Sequence, residues 1–283
     1  MLAGKPRKIS DKTKIRHRNE LNSTLAQLPL SAKRVLCLSF VSIDSKTALD
    51  IDTVFRVNAD DFSKFTGVDI SVAYKQMKEG AAILENSKLH LNSEDIIELS
   101  QELGLPYNEK NRPTKLNLSI TDFCAYFDNE AYVELRFTQT IQPYISNLIG
   151  TQNKFTTLLL QSALKLSGKY SYSLYQLIRK RYSKFKGSNE FTISLNELKH
   201  ELVAWDEGED GEIVYKYPEY PIFRREVLNK AIKEIEDKTE IKKLTFEVSG
   251  KQGRRVSELR FRFMIFENVA DSEIEEALSG MKK

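Results

Sequence analysis

Two helical stretches of this chain carry side chains suited to gripping a polyanion or reading the edge of a base. Ser71, Tyr74, Lys75 and Lys78 recur at helical spacing, and so do Glu226, Asn229, Lys230 and Lys233, with Arg225 on the flank. At about 100° per residue each set falls on one face. The opposite faces carry Ala73, Met77, Ala81 and Leu84 in the first stretch, and Val227, Leu228, Ala231, Ile232 and Ile235 in the second. On a helix lying in a DNA major groove, lysine and arginine donate to guanine O6 and N7, and asparagine suits adenine N6 and N7. Asn229 and Lys233 lie one turn apart, the spacing needed to meet successive base pairs. Glu226 would accept from cytosine N4 or orient Arg225, whereas Arg224 falls on the apolar side of the wheel and suits a phosphate or ion-pair role. The competing reading is a solvated helix laced by pairs such as Lys230 with Glu234. A lone surface tyrosine is usually incidental; in a reading helix Tyr74 packs on a thymine methyl or hydrogen-bonds a phosphate.

Further cations fit the DNA backbone better than bases. Arg179, Lys180, Arg181 and Lys184 recur along one helical stretch, and Lys251, Arg254 and Arg255 sit at a hairpin tip that would grip backbone or minor groove. Other chemistry finds no support. His17, His90 and His200 are too dispersed for a metal site. Gly4-Lys5, Gly168-Lys169 and Gly250-Lys251 lack the spacing and hydroxyl residue of a nucleotide-binding loop. Histidines are not paired beside a tyrosine nucleophile, and carboxylates are not clustered for two-metal chemistry, so neither catalysis nor a cofactor or metal is expected. Cys37 and Cys124, the only cysteines, lie in apolar settings and read as reduced buried thiols. The polar N-terminus and the lack of a long apolar run lead us to expect a cytoplasmic protein with no membrane partner.

The elements that must position these residues repeat. Phe55–Phe62 reads as a strand entering a helix capped by Asn58, and Phe191–Leu198 as another, with Ser194 and Glu197 as a capping box. Each is followed by a polar-faced helix (about Ile70–Leu84; about Ile222–Lys238) and a hairpin (Ser87–Leu91 with Leu116–Phe137; Ile241–Val248 with Val256–Ile265). That order describes the winged helix, a helix-turn-helix variant whose last helix enters the major groove. The fold class is therefore α+β, with two tandem winged-helix domains. We expect a flexible basic arm at 1–18, a first domain at 19–151, a second at 152–267 and an acidic tail at 268–283. Helices are expected over Asn19–Gln27, Ser31–Phe40, Asp95–Leu103, Phe137–Leu148, Phe155–Leu166 and Ser171–Phe185, and an acidic loop over 204–220. A length of 283 residues suits two domains. The net charge of +3 argues only weakly for nucleic acid, but basic residues concentrate near the start and between Lys154 and Lys199.

Three strings carry a family resemblance: Asp11-Lys-Thr-Lys-Ile-Arg-His-Arg-Asn-Glu-Leu-Asn, Ser173-Leu-Tyr-Gln-Leu-Ile-Arg-Lys-Arg-Tyr and Tyr217-Pro-Glu-Tyr-Pro-Ile-Phe-Arg-Arg-Glu-Val-Leu-Asn-Lys-Ala-Ile. In order and extent, over roughly residues 11–266, the chain resembles theta-type plasmid replication initiators. The resemblance implies two winged helices that bind directly repeated origin elements, the iterons. It implies a monomer that initiates replication with a host initiator and the replicative helicase, and a homodimer that represses its own gene on an inverted-repeat operator. It matches Ser71, Tyr74, Lys75 and Lys78 to the DNA-reading helix of the first domain, and Arg225, Asn229, Lys230 and Lys233 to that of the second. Ala131 falls where the first wing tip approaches DNA. Dimers are expected through residues 1–150, rimmed by the apolar turn at Leu105, Pro106 and Tyr107. The DNA-contact residues alone do not separate an initiator from a dedicated repressor; the resemblance decides for the initiator.

Overall fold

Alternating and helical apolar patterns set where each half of the chain buries its side chains. The computed structural model describes residues 9–92, 96–97, 100, 104–149, 154–182, 189–208 and 212–266. Contacts divide the chain into units 1–165 and 166–283.

In the first unit, α1 (Leu21–Gln27) and α2 (Leu30–Ser39) precede β2 (Phe55–Asn58), whose Phe55 and Val57 point inward. Helix α3 (Ala59–Thr66) follows, ended by Gly67 in the left-handed region at φ 73°, a conformation that favours glycine. Asn58 occupies its N-cap position without a side-chain cap bond. Next come α4 (Ile70–Glu85), a hairpin of β3 (Lys88–Asn92) and β4 (Lys115–Ser119), and a second hairpin of β5 (Thr121–Phe127) and β6 (Tyr132–Phe137). The sheet order β2-β6-β5 makes β5–β6 the wing. The expected pairing of Ser87–Leu91 with the whole of Leu116–Phe137 is thus corrected, because Ile120 ends one hairpin and the chain starts another. The helix expected over Phe137–Leu148 reduces to one turn, α5 (Gln142–Ile145), with Pro143 in its first turn.

The basic arm is the largest correction. Lys14–Arg18 forms β1, paired antiparallel with β7 (Phe155–Leu159), and Ile15, His17 and Arg18 are buried. Arg18 is compensated by Glu20 at 2.8 Å and lies over the Tyr144 ring. Burial holds the His17 imidazole neutral, with its pKa lowered to about 4. This pairing also overrides the helix expected from Phe155, so helix α6 begins only at Leu160 and runs to Lys165. The boundary moves accordingly from 151/152 to 165/166. Leu158 and Leu160 are core residues.

The second unit repeats the plan with α7 (Lys169–Arg181), β8 (Glu190–Ser194), α8 (Leu195–Glu201) and a long helical stretch over 220–238. Strands β11 (Ile241–Gln252) and β12 (Arg255–Ile265) then form the wing, in a sheet ordered β11-β12-β8. Ser194 caps α8 by accepting from the Glu197 amide at 3.2 Å. The expected acidic loop contains a small hairpin, β9 (Trp205–Glu207) with β10 (Ile213–Tyr215). Most of the expected helix over Asp95–Leu103, the first eight residues and the tail at 268–283 lie outside the described residues.

Candidate nucleic-acid interface

The helix expected to read DNA in the first unit is α4. Asp69 caps it by accepting from the Ser71 amide at 2.8 Å. Ala73, Met77, Ala81 and Leu84 are fully buried on one face. Gly80 lies against α2 so closely that a Cβ would sit 2.5 Å from the Ser31 carbonyl oxygen, so this helix–helix approach requires glycine. The outward face is as expected: Ser71 and Lys75 are exposed, and Tyr74 and Lys78 half-exposed. The wing turn meets this face. Tyr74 donates its hydroxyl to Asp128 Oδ1 at 2.9 Å, and Lys78 Nζ donates to the same oxygen at 2.8 Å. At the far end of the helix Tyr126 donates to Glu85 Oε1 at 3.1 Å. Desolvation and the Asp128 bond push the Tyr74 pKa up to about 12, so it stays a donor. Lys78 and Tyr74 hold the Asp128 carboxyl below its ordinary range. Ala131 closes the turn at φ 53°, and its carbonyl accepts from the Ala59 amide at 2.9 Å.

The helix expected to read DNA in the second unit is built in three pieces: α9 (Tyr220–Phe223), a π turn (Arg224–Leu228) and α10 (Asn229–Lys238). A π turn takes more residues per turn than an α-helix, shifting the wheel that a regular count predicts. Arg224, expected on the apolar side, is consequently exposed and lies over the Phe246 ring at 5.8 Å. Asn229 and Lys233 are exposed and line an open groove with Leu244 and Phe246. Arg225 donates to Glu226 Oε1 at 2.7 Å and Lys230 to Glu226 Oε2 at 2.6 Å. Lys230 thus pairs with Glu226, not with Glu234 as the solvated-helix reading supposed. Glu234 has another task. It accepts from the Ser167 amide at 2.8 Å, the Gly168 amide at 3.0 Å and Lys238 Nζ at 2.7 Å, tying α10 to the start of α7. Burial opposes its charge, but bonds from Lys238, Ser171 and Ser167 outweigh it and lower its pKa to about 2.

The backbone-gripping set divides. Lys251, Arg254 and Arg255 are exposed at the tip of the second wing, where Gly253 turns the chain at φ 59°. Lys180 is partly exposed and donates to Glu201 at 2.6 Å, and Arg181 pairs with Glu197. Arg179 is a correction. Only 7% exposed, it forms a 3.2 Å ion pair with Glu240 and belongs to the core. A helix of repeated cations necessarily turns some of them inward, and a buried carboxylate later in the chain received this one. Lys184 lies outside the described residues. In the apolar turn of the first unit, Leu105 and Tyr107 are half-buried and Pro106 exposed, held by a 2.8 Å bond from the Leu105 amide to the Ser100 carbonyl. Cys37 is buried, but Cys124 only half-buried, with burial pushing its thiol up to about 12. Among the described residues, no group of three or more His, Cys, Asp or Glu is placed to hold a metal, and no helix is long and apolar enough to cross a membrane.

Sequence reasoning missed Asp128 and the pairing of Glu226 with Lys230; the expected orientation of Arg225 by Glu226 is seen. The run Asp128-Asn129-Glu130 is a turn signal that could have placed a hairpin tip there, but nothing local says that the tip folds back onto α4.

Two units, each with a sheet, a supporting helix, an outward-facing helix and a wing, define a tandem winged-helix protein. The chain belongs to the initiator replication protein family: Initiator Replication protein, WH1 matches residues 14–179, and Initiator Rep protein, WH2 matches residues 212–263. It is 54% identical over 260 residues to the PI protein of Escherichia coli, covering 92% of this chain and 85% of that protein. The crystal structure of Pi initiator protein in complex with iteron DNA matches with a TM-score of 0.85 and 52% identity, over 92% of this chain and 100% of that one.

Proposed function

We propose that this protein initiates plasmid replication by binding directly repeated iterons as a monomer. It helps open the origin, recruits a host initiator and the replicative helicase, and as a dimer represses its own gene on an inverted repeat. One observation carries the reading: a relative solved on iteron DNA matches 92% of this chain, both winged helices included. The exposed faces support it. Asn229 and Lys233 have the chemistry and spacing to read bases. Arg224, Arg225, Lys230, Lys180 and the wing tip Lys251, Arg254 and Arg255 are assigned to backbone and flanking contacts. In the first unit, Ser71, Tyr74, Lys75, Lys78 and Ala131 form the second contact surface. Leu105, Pro106 and Tyr107 are assigned to the dimer rim, and the protein to the cytoplasm.

The test supplies the protein in trans to a plasmid whose only origin is the repeat array. Replication that depends on the intact protein is expected. Repression of the operator without replication of the plasmid would make the protein a dedicated repressor.

A further inference from the structure

We propose that Asp128 stands in for a DNA phosphate: its carboxylate holds two donors of the first reading helix in the free protein, and a backbone phosphate takes its place on binding. This rests on the reading that the first winged helix contacts DNA.

The geometry is that of an occupied anion site. Tyr74 and Lys78 lie one turn apart on the outward face of α4, and both donate to a single oxygen, Asp128 Oδ1, at 2.9 and 2.8 Å. A phosphodiester oxygen offers the same thing: one charged acceptor reached by two converging donors. The occupant is easily exchanged, because the Asp128 side chain is 68% exposed and that of Lys78 41%, and exposed ion pairs contribute little. The donors project from a helix whose opposite face, Ala73, Met77, Ala81 and Leu84, is fully buried. Tyr74 is partly desolvated and its hydroxyl stays protonated, whereas Asp128 sits in the four-residue turn between Phe127 and Tyr132.

The arrangement is not a general way of neutralising a reading helix. Glu226 in the second unit also meets two cations, but with separate oxygens, one for Arg225 and one for Lys230, and from within its own helix. Among the described residues, only Asp128 brings a wing-turn anion onto the exposed face of a helix. Once phosphate binds, the displaced carboxylate remains beside a polyanion. Its charge therefore opposes every complex alike, whatever the base sequence.

The test compares the full-length protein with Asp128→Asn on an iteron duplex and on a scrambled duplex of equal length, by fluorescence anisotropy over a salt series. Asparagine keeps the turn and removes the charge; Asp128→Ser is the second variant should the amide disturb folding, which thermal melts report. Affinity for both duplexes is expected to rise about 3- to 10-fold, with the ratio between them unchanged. The slope of log K against log salt should steepen by about 0.9, the equivalent of one more neutralised phosphate. Lys78→Ala in the Asp128→Asn background should abolish the gain. A fall in affinity, a change in base preference, or a gain that survives Lys78→Ala would overturn the proposal. If the unaltered protein does not prefer the iteron duplex, it is the iteron reading that fails.

Discussion

The two winged helices present similar helices to solvent and fix them by different means. In the first unit the wing holds the helix: Asp128 accepts from Tyr74 and Lys78, and Tyr126 donates to Glu85, so α4 and β5–β6 form one surface. In the second unit the helix is held from beneath and by the root of its wing, where Glu236 accepts from the Leu244 amide at 2.9 Å and Arg224 lies over the Phe246 ring. Glu234 binds the start of α7, while Glu226 pairs with cations of its own helix. The second wing, with strands of 12 and 11 residues, keeps its basic tip exposed. The difference teaches how open each outward face is. Asn229 and Lys233 stand exposed on a helix that meets its wing through β11, so the contact lies at the root of the wing and not on the outward face.

The largest expected effect separates core from surface in the second unit. Arg179→Ala removes the ion pair with buried Glu240, whose carboxylate keeps the Tyr175 hydroxyl, and should destabilise the protein by about 3–5 kcal/mol in denaturant melts. A melt within about 1 kcal/mol of the original, with a flatter salt slope for DNA, would return Arg179 to the backbone-gripping set. Acid should probe the first unit. His17 is buried with its pKa lowered from 6.5 to about 4, so between those values the unfolded chain takes up a proton that the folded one refuses. Stability is complete above the unfolded value and falls as pH drops toward the folded one. The loss should be roughly 2 kcal/mol between pH 7 and 5, and His17→Gln should remove that part of the dependence. An equal loss in the variant would place the acid sensitivity elsewhere.

What was legible in the sequence follows from periodicity. The inward face of α4, the stop at Gly67 and the sequence of strand, short helix and polar-faced helix in both units depend on local spacing, and the structure has them. Lys14–Arg18 reads as a solvated arm because its partner strand lies some 140 residues further on; long-range pairing leaves no local trace. Phe155–Leu159 reads as helix for the same reason. Arg224 is misplaced because a π turn breaks the regular count, and Arg179 because its carboxylate partner comes 61 residues later. Asp128 is a surface turn residue until the wing folds over α4.

Smaller effects sharpen the division between the readers. Asn229→Ala and Lys233→Ala should each weaken binding by about 1–3 kcal/mol and relax preference at particular base pairs. Equal losses on every sequence would show that this helix reads backbone only. Lys180→Ala should weaken all complexes alike and flatten the salt slope by about one unit. A change in base preference instead would reverse the roles given to α7 and α10.

The central claim is that one monomer reads its site with two helices. The most direct measurement is a hydroxyl-radical footprint of the intact protein on a single iteron, at concentrations where it is monomeric. Two major-groove insertions predict protection over about two helical turns, roughly 20 bp. Protection confined to one turn by the intact monomer would contradict the account.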